Sequence, residues 1–552
     1  MKTYAIRPLF TLWLLTAAIA SLWAQLCIDG RMAAFDDRSH LWLATVTEDM
    51  FGKNCRLKVT LSGEWNKMVI GGQSVDSTFM FSNVSANSMY PAILSNGKGE
   101  IRAGVIMFTF LPTIQLNGQF NDQYSKGSII IADPEQQGNT VADIECKWRG
   151  ATTNSTTKEK HNYKICFPQN ISLFGMRSDD KWLLDAGQID PFRLRNRIAT
   201  DLWNDFATPP YYAFAEPEAR LGAEGRVVEV FLNNQYYGIY NLSENMDRKL
   251  TKVRKCKNGQ VHGCLWKAVG YDNTQMKNIT TPYDNRQAVW GRFEVKYPDL
   301  SDNDTTDWST LYNAIYFTIH SRREQFCAEA DKYFDLPVLI DFYLFTNVLA
   351  AVDNHGKNTL WAVYDKQTDC RITPIPWDLD CTVGQPWTLR FGSQYTSPYY
   401  PLHSAVFVID RLLRSNAFGF ADKVVERYHQ LRYRCFATDS LISRYQHYYD
   451  MLANSGAAQR ETDRWNGSSD LESNSIDFSR DMAYISEWIK KRMAYLDTNL
   501  SSAARLSVEQ PTTTANTDNS VYSLSGTRMP GTAETQMSGI YISKGRKIIV
   551  KP

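Results

Sequence analysis

Asp353 and Asn358 stand in a D-x-x-x-x-N arrangement, and Asp378 and Asp380 follow as the two acids of a D-L-D. All four offer oxygen donors. Mg²⁺ prefers oxygen and usually takes one or two carboxylates alongside substrate phosphates. Phosphoryl transfer asks for that set plus one carboxylate to orient the attacking hydroxyl. Asp353 suits the orienting role, and Asn358 and Asp378 suit the cation. Asp380 suits a second ligand position or a group that orients Asp378. By spacing alone the same residues also fit a polar loop between two buried strands.

The elements around them decide whether they can meet. Thr359 to Tyr364 alternates like a strand, a turn falls near Asp365 to Asp369, and a second short strand runs into Pro376. Such a hairpin returns both oxygen-rich ends to one rim. Upstream, Leu336 to Ala351 reads as a helix capped by Asp335, with Pro337 in its first turn. It is apolar on nearly every side, so it belongs in the interior and delivers Asp353 at its end. His355 suits a general base, although a neutral histidine bracing the loop is its default role. A second helix is expected from Asp190, as N-cap, and Pro191, with Leu194, Ile198, Leu202 and Phe206 facing the core. Val227 to Leu232 and Tyr237 to Leu242 form a hairpin across Asn233 and Asn234. Residues 146 to 167 read as another hairpin with a polar tip.

Three blocks resemble the CotH kinase family, atypical secreted kinases related to spore-coat proteins. Asp353 to Gly384 resembles its "D-x-H-x-x-N … ipWDlD-x-x-x-G" block, in the order of a protein-kinase catalytic loop and its metal-binding Asp. Val230 to Arg248 resembles its strand pair ending in Glu, and Ile189 to Trp203 its "RN" helix. The resemblance implies a kinase-like two-lobed core over 141–500 that binds ATP with Mg²⁺ (Mn²⁺ being the alternative) and phosphorylates Ser or Thr of a protein substrate. In it, Asp353 orients the acceptor hydroxyl, and Asn358, Asp378 and Asp380 form the metal set. The 146–167 hairpin becomes the start of the core, with backbone N–H groups facing phosphate. Lys164 or Lys267 holds phosphate, with Arg149 a weaker candidate, and Lys164 equally suits a solvated hairpin face. Glu244 is a candidate for a ribose hydroxyl or a basic residue. Tyr240 is a candidate for stacking on adenine, though aromatics at strand spacing are more often core. Arg195, in the "RN", would brace the site, with a structural ion pair as its other role.

The rest of the chain sets limits. Its 552 residues allow three or four domains, and 13% aromatic residues suit a packed protein rather than a disordered one. A net charge of +1 gives no case for nucleic acid as a partner. Lys2, Arg7, the apolar Leu9 to Ala20 and Ala24 read as a signal peptide over 1–24, which places the mature protein outside the cytoplasm, secreted or on the cell surface. No later stretch reaches the ~18 apolar residues of a membrane span. The ten cysteines then lie in a disulfide-permissive compartment, with Cys256 and Cys264 able to close a tight loop. No C-x-x-C occurs, which argues against structural zinc. Residues 25–140 alternate as strands, with Leu57, Val59 and Leu61 opposed to Arg56, Lys58 and Thr60, and suggest a β-sandwich accessory domain. That domain is a spacer or a surface for glycan or cell-surface contact. Residues 404–500 read as helices and 501–520 as a linker. Residues 521–552 form a short β module that resembles the type IX sorting tails of Bacteroidetes. The expected class is therefore α+β, and the expected function an extracytoplasmic Mg-ATP protein kinase. Two alternatives stay open: a catalytically inactive adhesion protein on a kinase-like scaffold, and a metal-dependent enzyme acting on another phosphate or a glycan.

Overall fold

Alternating strands near the N-terminus need a partner sheet to cover their apolar faces. The computed structural model describes residues 25–150, 153–271, 273–279, 281–301, 303–386, 396–471, 475–503, 521–522, 528–530, 538–543 and 546–550. The signal-peptide segment and most of the linker lie outside them. One sheet runs Arg31–Met32, Gln25–Ile28, Cys55–Ser62, Thr78–Phe81. The other runs Ala34–Asp36, Leu41–Thr45, Ile101–Thr109, Tyr90–Asn96, Trp65–Ile70, Gln73–Ser74. Trp42, Val59, Phe81, Leu94 and Phe108 belong to one core shared by both.

A seven-stranded closed barrel follows, in the order Thr113–Asn117, Ser125–Ala132, Asn139–Arg149, Asn162–Ile171, Asp179–Asp185, Gln235–Glu244, Gly225–Leu232. Ile114 pairs in parallel with Val230 to close it. The barrel thus takes in strands at 113–132 that alternation alone assigns to the N-terminal domain. Hydrogen bonding overrides a boundary at 140, because Ser125–Ala132 pairs with Asn139–Arg149 and Thr113–Asn117 pairs in turn with Ser125–Ala132. Cys146, Tyr163, Ile165, Trp182, Leu184 and Tyr240 fill the interior. Strand periodicity therefore turns Lys147, Arg149, Lys164 and Asp185 outward. The hairpin at Asn233 and Asn234 forms as expected, both residues adopting the left-handed backbone (φ 49° and 58°) that a two-residue turn requires.

A five-stranded antiparallel sheet follows, in the order Val289–Trp290, Phe293–Tyr297, Cys264–Ala268, Thr359–Val363, Thr373–Pro376. Against it packs Leu336–Val348, buried at every residue from Val338 to Val348. The helix expected from Pro191 starts instead at Arg195 and runs to Phe206. Arg193, at φ 66°, turns the chain left-handed and stops the helix from reaching back to the proline. The N-cap position falls on Leu194 rather than Asp190, although the Asp190 Oδ2 still accepts the Arg195 N–H at 2.8 Å.

The C-terminal region is helical: Phe407–Ser415, Phe420–Arg432, Thr438–Asn454, Ala457–Trp465 and Phe478–Ala503. Among the described residues no helix is long and apolar enough to cross a membrane. All ten cysteines are free thiols, Cys146 buried in the barrel and Cys166 opposite Glu145 on the next strand. Residues 506–552 form a second unit with an antiparallel sheet in the order Arg528–Met529, Val521–Tyr522, Gly539–Ser543, Arg546–Val550.

Helix Ala457–Trp465 fastens the helices to the barrel through charge. The Glu461 carboxylate accepts from Lys160 Nζ at 2.8 Å, Arg193 Nε at 2.8 Å and the Ile239 N–H at 2.6 Å. One residue earlier, Arg460 makes a two-pronged pair with Glu229 at 2.8 and 2.7 Å. Glu461 is fully buried, so removing it leaves two cations without water or counter-charge. Glu461→Ala should cost roughly 3–5 kcal/mol of folding stability, read by chemical denaturation.

Candidate active site

The neck of the Thr359–Pro376 hairpin carries the acidic motif. Thr359 pairs with Pro376, and just below them the Trp377 N–H donates to the Asn358 carbonyl at 3.0 Å. Asn354 closes the neck. Its Nδ2 donates to the carbonyls of Asn358 and Trp377, both at 2.8 Å. Asn358 and Asp378 both adopt left-handed backbone (φ 50° and 60°), which turns each chain away from the strand direction. The Asn358 N–H donates to the Ala268 carbonyl at 3.0 Å, so this loop is tied to the strand that carries Lys267.

Asp353 lies in the 3-10 turn Val352–Asn354, directly after the buried helix. Its Oδ2 accepts from Asn358 Nδ2 at 2.6 Å and from Lys357 Nζ at 3.0 Å, and its Oδ1 accepts from the Tyr271 hydroxyl at 3.2 Å. Asp378 is exposed. The Asp380 carboxyl is held well above the ordinary carboxylate range, by burial first and then by the fields of Asp378, Asp185, Asp190 and Asp353. Among the described residues neither Asp378 nor Asp380 has an ion-pair partner. So much unneutralised carboxylate fits a divalent cation. Among the described residues, however, no three His, Cys, Asp or Glu side chains converge into a ready-made cage. That suits Mg²⁺, whose remaining positions are filled by phosphate oxygens and water.

The outer wall of the barrel and the strand Cys264–Ala268 supply the opposite charge. Arg149 lies over the Trp377 ring at 5.8 Å, next to Asp378 in sequence. Lys267 is pushed down by burial and pulled back up chiefly by Asp378. Lys164 is also pushed down by burial, and shares its surroundings with Lys181, Lys147 and Arg149. The structure therefore sets Lys267 and Arg149 nearer the acidic pair, with Lys164 further along the barrel face that carries Arg149, opposite Lys147.

Other candidates are engaged elsewhere. Tyr240 is 1% exposed inside the barrel, its hydroxyl donating to the His161 carbonyl at 2.9 Å. Glu244, equally buried, accepts from Arg220 Nη2 at 2.5 Å and from the Glu224 N–H at 2.8 Å. Arg195 pairs with Asp190 and stabilises the helix start. His355 stacks on His403 at 3.8 Å and 6°. Burial, then His403 and Arg492, push it down to about 3, so it stays neutral.

Four residues at this site escape a reading by motif. Asn354 and Lys357 fall between motif positions, and Lys357, four residues after Asp353, is at least suggested by its spacing. Asp185 closes a barrel strand whose sequence, DDKWLLD, carries no catalytic signal. Burial raises its carboxyl; hydrogen bonds from Asn196 and Gly187 oppose that, while Asp378 adds to it. Asn196, the second letter of the "RN", donates Nδ2 to Asp185 Oδ2 at 2.5 Å and accepts the Leu379 N–H at 3.1 Å. One amide thus joins the barrel wall to the D-L-D.

A barrel wall carrying Lys147, Arg149 and Lys164 stands beside a carboxylate-bearing loop on a helix-packed sheet. The model of the family described as CotH kinase protein matches residues 146–496, well over half of the chain, and the chain belongs to that kinase family. The match begins inside the barrel, on the strand that carries Arg149. No curated protein matches the chain.

Asn196→Ala should cost roughly 1–3 kcal/mol, because the half-buried Asp185 Oδ2 and the Leu379 N–H both lose the partner Asn196 supplies; thermal or urea unfolding reads it. His355 makes a pH prediction. Folded His355 stays neutral down to about pH 3, whereas the ordinary imidazole takes its proton near 6.5. Between those values the unfolded chain binds a proton that the folded chain refuses, so stability falls as pH drops. His355→Asn should flatten that slope in denaturation series at stepped pH. His403, also pushed down by burial, accounts for part of the slope that remains.

Proposed function

We propose that this chain is an ATP-dependent protein kinase acting outside the cytoplasm on Ser or Thr of an acceptor protein. The barrel would form one lobe and the helical region the other. The observation that carries the reading is the meeting of Arg149 and Lys267 with Asp378, Asp185 and Asp380, beside the paired Asp353 and Asn358.

In this reading Lys267 and Arg149 hold the phosphates, with Lys164 guiding them along the barrel face. Asn358 and Asp378 hold Mg²⁺, and Asp380 is either a further ligand or the group that orients Asp378. Bound Mg²⁺ neutralises charge on the phosphate oxygens. Asp353 receives the acceptor hydroxyl proton as the oxygen bonds to the terminal phosphorus, the bond to the bridging oxygen breaks, and ADP leaves. Lys357, Asn358 and Tyr271 fix the Asp353 carboxylate so that the hydroxyl meets it in one orientation. Placement outside the cytoplasm rests on the N-terminal export pattern, and the sorting-tail resemblance supports release or surface display.

Removing a positioned general base costs about 10²–10⁴ in rate. Asp353→Ala should therefore abolish detectable transfer of radiolabelled phosphate while the protein melts as wild type does. Labelling at the wild-type rate would refute the role. Mg-ATP at about a hundred times its Kd should add roughly 2.7 kcal/mol of stability, and Asp378→Asn should remove most of that gain. The inactive-scaffold alternative predicts no stabilisation in either protein.

A further inference from the structure

A cavity of about 760 Å³ opens between helices Arg195–Phe206, Phe420–Arg432 and Thr438–Asn454. Asp201 and Asp205 line one wall, Arg427 and Arg434 another, and Ser440 and Arg444 the third. Its volume is in the range that holds a ligand of several groups rather than a single ion.

The charges in it do not cancel. Arg427 is engaged by Asp341 at 2.8 Å and by the Phe206 carbonyl at 2.7 Å. Asp201 is matched by Arg197 at 2.5 Å, and Asp205 by Arg444. Arg434 is left exposed with no ion pair among the described residues. Arg444 keeps a buried Nε with no partner. Arg427, Arg434 and Arg444 all line the one cavity, together with Cys435. Helix Thr438–Asn454 begins beside it on Ala437, which has no side chain to cap the first N–H groups. Ser440 and Ser443 face the cavity from that first stretch of helix.

We propose that this cavity binds the phosphoryl group of a phosphorylated Ser or Thr peptide segment, the product class of the reaction proposed above, on which the choice of ligand rests. A tetrahedral dianion matches the unpaired Arg434, the Arg444 guanidinium beside it in the lining, the serine hydroxyls and the uncapped helix start. Tyr433, 70% exposed at the rim, offers a surface for the residues flanking the phosphate. A neutral or basic peptide gains nothing from the surplus positive charge.

The test uses the full chain carrying Asp353→Ala, so that binding is read apart from catalysis. Fluorescence anisotropy with a labelled phosphoserine peptide should show saturable binding, with the unphosphorylated twin at least about tenfold weaker. Arg434→Glu, an exposed substitution that leaves the buried pairs intact, should weaken the phosphopeptide by about tenfold or more. Mg-ATP should not compete, because the cavity is built from residues that do not reach Asp378. Equal binding of both peptides, indifference to Arg434→Glu, or displacement by Mg-ATP would each overturn the assignment. Failure of the kinase reading shows separately, as a wild-type chain that binds the phosphopeptide yet transfers no phosphate.

Discussion

A single buried amide holds the two chemically distinct halves of this site together. Asn354 Nδ2 bridges the carbonyls of Asn358 and Trp377 across the mouth of a hairpin whose strands are already paired at Thr359 and Pro376. With that bridge in place, Asn358 and Asp378 can turn left-handed on either side without the neck splaying. A left-handed non-glycine residue costs free energy and persists only where its surroundings over-determine it. Here the surroundings are the bridge, the Ala268 hydrogen bond and the buried helix Leu336–Val348 that delivers the loop.

The electrostatics follow from that geometry. Concentrating Asp378, Asp380, Asp185 and Asp353 at one place is unfavourable without a cation, as the upward displacement of Asp380 and Asp185 shows. The barrel wall does not cancel the charge by direct ion pairs. It sets Arg149 nearby, and the five-stranded sheet sets Lys267 there, where a polyphosphate can lie between the two signs. Such a site is poorly satisfied when empty and well satisfied when loaded, which is how preorganised charge favours a reacting anion.

Much of this was legible in the chain. D-x-H-x-x-N and D-L-D separated by a strand, turn and strand indicated a hairpin with two oxygen-rich ends, because strand alternation and turn chemistry are local properties. The apolar helix before Asp353 and the Asn-Asn turn were equally readable. The barrel boundary was not, since strand partners far apart in the chain leave no local trace, and Thr113–Asn117 closes against Gly225–Leu232. Tyr240 and Glu244 show the same gap from the other side. Their strand was found, but which face looked into the barrel was settled only by closure. Asn196 and Asp185 contribute to the site only because a helix start and a strand end, remote in sequence from the D-L-D, come to rest beside it.

The amino-acid order alone thus determined the donor types, their hairpin and the helix that delivers them, since each depends on residues within a few turns of one another. Only the tertiary structure decided which cations face the carboxylates, and which of the plausible partners are instead locked into the core. Charge interactions act through space and ignore chain distance, so Arg149 acquires its relation to Asp378 only when the barrel and the sheet come together, and Lys267 its own only when strands remote in the chain pair within that sheet.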